Sequence, residues 1–71
     1  MHRHFEFVSD TSAKFWEVEI IGCDVLVRYG RLGSFGQSQT KSFPDPAAAR
    51  QHAEKQIGQK TGKGYVETAV A

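Results

Sequence analysis

From Phe5 to Tyr29, apolar side chains recur at every second position within short runs, and this spacing constrains the fold more than any other feature of the chain. Phe5 and Phe7 stand two apart; Trp16, Val18 and Ile20 keep the same rhythm, and Val25, Val27 and Tyr29 repeat it. Successive side chains of an extended strand point to opposite faces, so each set lines one face of its strand. Glu17 and Glu19 take the alternate positions and mark the other face as wet. Ser9-Asp10-Thr11-Ser12-Ala13 reads as a polar turn and Ile21-Gly22-Cys23-Asp24 as a tight one. Strands joined by such short connections run antiparallel, as a meander.

A fourth strand is expected from about Gly36 to Phe43. It is polar throughout, with Gln37, Ser38, Gln39, Thr40, Lys41 and Ser42. That composition fits an edge strand blunted by a lysine, and equally a strand that faces a ligand. Phe43-Pro44-Asp45-Pro46 announces the single helix: Asp45 can cap free amides, and Pro46 suits the first helical position. The helix is expected to run to about Lys60, with Ala49, Ala53 and Ile57 forming a narrow face of mostly small side chains. Gly58 and Gly62 weaken its end, and Thr61-Gly62-Lys63-Gly64 reads as a flexible exit. Tyr65-Val66 then forms a short closing strand or an extended tail. The expected architecture is α+β, an antiparallel four- to five-stranded sheet with one helix packed across it, built as a single domain over residues 1–71.

A chain of 71 residues buries only about 60% of the surface that its unfolded form exposes. Its core supplies no more than about 3–5 kcal/mol of net stability. Cys23 is the only cysteine, so no internal disulfide can add to this, and a lone thiol fits a reducing compartment. The N-terminus lacks an apolar signal core, and no apolar run approaches the roughly 18 residues of a membrane helix. A cytoplasmic domain with no membrane partner is the expectation. Net charge is only +1, yet residues 1–27 carry −3 and residues 28–71 carry +4, which permits a basic face on a nearly neutral molecule.

The chemistry concentrates in Arg28-Tyr29-Gly30-Arg31-Leu32-Gly33-Ser34-Phe35-Gly36-Gln37, between the third and fourth strands. Glycine inside a strand packs nothing, so Gly30 marks either a bulge or a place where another backbone comes close. A bulge would turn Tyr29 and Arg31 to different sides. Arg31 offers a planar fork of donors matched to phosphate oxygens. Tyr29 or Phe35 offers a flat ring for a sugar or base, and Gln37 a neutral hydrogen-bonding group. In an arbitrary hairpin the same residues would serve as packing and solvated surface.

Lys14-Phe15-Trp16-Glu17-Val18, Val27-Arg28-Tyr29-Gly30-Arg31-Leu32-Gly33, Gly36-Gln37, the Phe43 lead into an alanine-rich helix, and Lys60 with Lys63-Gly64-Tyr65 together resemble a WGR domain. That family is named after a Trp-Gly-Arg triplet and occurs in poly(ADP-ribose) polymerases and in bacterial proteins. The resemblance spans nearly the whole chain and implies an antiparallel sheet with one helix. It also implies a DNA-end reader, in which the aromatic residue of the triplet packs on a terminal sugar and the arginine joins DNA to neighbouring domains. Gly30 and Arg31 match the triplet, whereas Tyr29 stands where the family usually has tryptophan.

The nucleic-acid-binding candidates are therefore Arg28, Tyr29, Gly30, Arg31, Gln37 and Lys41, with Lys60 or Lys63 beside them, and duplex DNA or its ends as ligand. The competing reading is a protein-interaction or regulatory accessory domain that docks the same hairpin on a partner protein, since tyrosine and arginine are favoured anchors there too. Other candidates carry less. His2 and His4 alternate and form a possible metal pair, but they lack a third ligand and read as a frayed terminus. His52 reads as a residue at the border of the helix stripe. Glu17 and Glu19 share a strand face without a cleft to work in, and Cys23 adjoins Asp24, whose charge discourages a thiolate. No nucleophile stands with a base, and no cofactor or metal is expected: the chain reads as a binding module and not an enzyme.

Overall fold

The computed structural model describes residues 1–68; residues 69–71 of the expected domain lie outside the described residues. The chain runs β1 (His2–Val8), β2 (Ala13–Ile21), β3 (Asp24–Arg31), β4 (Gln37–Ser42), α1 (Pro46–Gly62) and β5 (Val66–Thr68). All five strands join one antiparallel sheet in the order β4-β3-β2-β1-β5. The first four form the expected meander. The helix then carries the chain back across one face, so that β5 closes the far edge beside β1.

Register follows from the turn between β2 and β3. With Ile21 paired to Asp24, Trp16 falls opposite Tyr29, Val18 opposite Val27 and Ile20 opposite Val25. Phe5 lies on the other side of Trp16. These side chains all face the helix. Phe5, Trp16, Val18 and Val25 are buried there against Ala49, Ala53 and Ile57. The two alanines are fully covered, and their small size is what brings the helix backbone down onto the rings. Phe5 and Trp16 meet tilted, with centroids 5.6 Å apart. Phe7, at the end of the sheet, is only half-buried and packs on Tyr65 instead.

The helix begins as its sequence dictates, with the Asp45 carboxylate accepting from the Ala48 amide at 2.7 Å and Pro46 in the first turn. Its end differs from expectation. The helix continues to Gly62, and the expected flexible exit is a closed Schellman motif. The Tyr65 amide donates to the Lys60 carbonyl at 3.1 Å, and the Gly64 amide to the Thr61 carbonyl at 3.1 Å. Gly64 takes the left-handed conformation that the motif requires, with φ of +103°. The N-terminus also departs from expectation: His2 to His4 belong to β1 and pair with Glu19 to Glu17, so they are not frayed.

Candidate nucleic-acid interface

Pairing along β3 is unbroken. Tyr29 faces Trp16, Gly30 faces Phe15 and Arg31 faces Lys14, so Gly30 makes no bulge against β2. The glycine serves a close approach. A Cβ on Gly30 would stand 2.8 Å from Gly36 Cα, and one on Gly36 would collide with the Tyr29 carbonyl oxygen and come within 2.8 Å of Phe15 Cζ. The two limbs of the hairpin therefore touch backbone to backbone. Beyond them, Arg31-Leu32-Gly33-Ser34 turns back, the Ser34 amide donating to the Arg31 carbonyl at 3.1 Å. Because the alternation survives, Tyr29 and Arg31 share the face that carries the helix.

On that face, cations and rings alternate along a ribbon. Lys14 Nζ stands 5.4 Å from the Phe7 ring, and Phe7 packs on Tyr65 with centroids 5.5 Å apart. Lys60 Nζ lies over both Tyr65 and Trp16, at 5.4 and 5.8 Å. Trp16 faces Tyr29, whose hydroxyl donates to Gln37 Oε1 at 3.3 Å. Arg31 stands cross-strand from Lys14. Between these groups lies an open groove of about 740 Å³, lined among others by Lys14, Tyr29, Arg31, Lys60 and Tyr65. The helix terminus builds one wall: the two backbone bonds of the Schellman motif set Tyr65 directly beneath Lys60.

The electrostatics suit an anion. Burial pushes the Lys60 ammonium below its ordinary pKa, and the like charges of Lys63 and Lys14 push it further. Asp10 is the one carboxylate among the residues lining the groove. A bound phosphate would relieve the mutual repulsion of these cations, and rings between them offer flat surface to sugars or bases.

The structure thus brings Tyr29, Arg31 and Lys60 together, with Gln37 bracing Tyr29 and Gly30 permitting the hairpin's closure. Two candidates lie elsewhere. Lys41 is four residues along β4 from Gln37, about 13 Å away, and stands over Phe43 at 5.7 Å. Arg28 projects to the opposite face, where its Nη2 donates to Glu17 Oε1 at 2.9 Å and its Nη1 to the Phe35 carbonyl at 3.0 Å. Lys14 and Tyr65 were not singled out from the sequence as binding residues. The tight Ile21–Asp24 turn held the missing signal, because it fixes the register that sets Lys14 beside Arg31.

Of the remaining candidates, His52 packs tilted against Phe43 with centroids 4.9 Å apart at the border of the core, as its place near the helix stripe suggested. Burial, then Lys41 and Lys55, lower its pKa. His2 and His4 both reach Glu17. Among the described residues, no group of three or more His, Cys, Asp or Glu side chains is arranged to hold a metal ion. Nor is any helix among them long and apolar enough to cross a membrane.

The chain is similar in sequence and fold to known proteins. Protein YehF of Escherichia coli (strain K12) is 46% identical over 67 residues, which cover 94% of this chain and 24% of YehF. The uncharacterized protein YfeS of the same strain is 37% identical over 67 residues, covering 94% of this chain and 28% of YfeS. A crystal structure of a Bacteroides fragilis protein superimposes with a TM-score of 0.94 at 48% identity, over 97% of this chain and 20% of that one. The chain thus spans a fifth to about a quarter of the length of these relatives. The sequence model of the WGR domain matches residues 1–71, and the chain belongs to the WGR domain family.

Proposed function

We propose that this domain is a nucleic-acid-binding module that holds the sugar-phosphate backbone of duplex DNA, or of a DNA end, in the groove between the β3–β4 hairpin and the end of the helix. The supporting observation is the interleaving of cations with aromatic rings along one face. Arg31, Lys14 and Lys60 meet phosphates, while Tyr29, braced by Gln37, presents its ring to a sugar. Lys63 extends the positive surface beside Lys60, and Lys41 stands away from the groove. Arg28 supports the hairpin from the far face and is not a groove contact. The role is that of a binding module and not a catalyst.

Titration of a labelled blunt duplex tests this. Affinity is expected to fall steeply as salt rises, because each phosphate contact releases condensed counterions. Arg31→Ala is expected to weaken binding by about 1–3 kcal/mol, the range of a hydrogen bond to a charged group. Absence of binding at low salt would overturn the proposal.

Phe35 favours a second reading, in which the hairpin docks on a partner protein. Phe35 is 91% exposed at the tip of the loop, the most exposed large apolar side chain among the described residues. Capture of a defined protein partner that survives nuclease treatment and is lost with Phe35→Ser would favour this reading.

A further inference from the structure

The face of the sheet away from the helix carries a charge cluster that the groove does not use. Register sets His4 of β1 beside Glu17 of β2, and Glu17 beside Arg28 of β3. Nδ1 of His4 lies 2.7 Å from Glu17 Oε1, and Nε2 lies 3.0 Å from Glu6 Oε2. Each ring nitrogen thus meets a carboxylate oxygen, and an ionised carboxylate only accepts. A neutral imidazole has a single N–H and would turn a lone pair toward one of the two acids. Only the imidazolium donates to both.

The charges close around that proton. Glu17 also accepts from Arg28 Nη2 at 2.9 Å and Nε at 3.3 Å, and stands 3.5 Å from His2 Nε2. Protonated His4 and Arg28 together match Glu6 and Glu17; without the proton one negative charge is left over. The other acid nearby is Glu19, cross-strand from His2. From β5, Thr68 stands opposite His4 and adds no charge, while Glu67 is held by Arg3.

The cluster reaches the hairpin through Arg28, whose Nη1 donates to the Phe35 carbonyl at 3.0 Å. Phe15 lies under the same groups and is only 3% exposed. The His4 ring stacks on it with centroids 6.0 Å apart and planes 9° from parallel, and the Arg28 guanidinium covers it at 4.9 Å. The tip of Phe15 in turn abuts Gly36.

We propose that His4, Glu17 and Arg28 form a proton-dependent clasp that positions the Phe35–Gly36 limb of the hairpin. With the proton bound, Arg28 is shared between Glu17 and the Phe35 carbonyl. With the proton gone, the uncompensated carboxylate charge draws Arg28 inward, and the limb loses its anchor. Burial pushes the His4 pKa down, but hydrogen bonds to Glu6 and Glu17 outweigh it and leave the value above 6.5. Because the folded value exceeds the unfolded one, the clasp's contribution is complete below about pH 6.5, down to the range in which Glu17 protonates, and is lost as pH rises through the folded value of His4. The clasp is a property of the free domain, so failure of DNA binding would leave it standing.

Nitrogen NMR of the histidine rings across pH 5 to 9 tests it. At pH 6.5 the larger share of His4 is expected to read as protonated on both ring nitrogens, with a titration midpoint above that of His52. The amides of Phe35 and Gly36 are expected to shift with the His4 midpoint. Glu6→Gln removes one negative charge, while keeping an amide oxygen that can accept, from a side chain that is already one-third exposed, and leaves the Glu17–Arg28 pair intact. In that variant the His4 midpoint and the hairpin transition are expected to move down together. A His4 midpoint at or below 6.5, or hairpin amides that titrate apart from His4 or not at all, would overturn the clasp.

Discussion

At the scale of the residue, Phe15 shows what a period-two pattern conceals. It falls on the same face as Glu17 and Glu19, where a solvated side chain is expected, yet it is 3% exposed. Its cover comes from His4 and Arg28 on neighbouring strands and from the backbone of Gly36. None of these is near Phe15 in sequence, so only register could reveal them. Gly36 is the most exposed to test, because a methyl there meets both the Tyr29 carbonyl and the Phe15 ring at a φ of +70°. Gly36→Ala is expected to cost about 1–3 kcal/mol in chemical denaturation, as overpacking does. Glu17 gives a second prediction. Burial raises its pKa, but hydrogen bonds from Arg28, His4 and His2 outweigh burial and hold the carboxyl below its ordinary 4.5. Its stabilisation is present above about pH 4.5 and is lost as pH falls through the lower folded value. Glu17→Gln is expected to flatten that part of the acid limb in thermal melts taken between pH 5 and 2.

At the scale of the element, the helix separates what local sequence states from what it leaves open. Asp45 and Pro46 mark the start by chemistry confined to one turn, and the structure begins there. The end is different, since Gly58, Gly62 and Gly64 each offer a stopping point. Only Gly64 places the following amide on the Lys60 carbonyl, and only a ring at Tyr65 then lands under the Lys60 ammonium. Asp45→Ala is expected to lower stability by about 1 kcal/mol through the lost cap. Ala53→Leu is expected to cost more, about 1–3 kcal/mol, because Ala53 is fully covered and the helix must lift to admit a larger side chain. Far-UV circular dichroism during urea titration reads both, and equal losses would show that the helix does not rest on its alanines.

At the scale of the whole molecule, the sheet and its single helix were legible because apolar alternation, a polar turn, a tight turn and one cap all point to the same architecture. The groove was legible only in part: Tyr29 and Arg31 stand out by residue type, whereas Lys14 joins them through pairing alone. Net charge of +1 conceals how the cations are placed. If Lys14 and Lys60 each meet a phosphate, replacing either with alanine is expected to reduce the slope of log affinity against log salt by about 0.9. Lys41→Ala, remote from the groove, is expected to leave that slope nearly unchanged. The unbroken alternation along β3 has a further consequence. Odd positions of that strand hold the groove and even positions hold the opposite face, so a single inserted residue between Val27 and Arg28 would exchange them. Arg28 and Gly30 would turn inward, Tyr29 and Arg31 outward, and the reading frame of the strand would decide which surface faces the ligand.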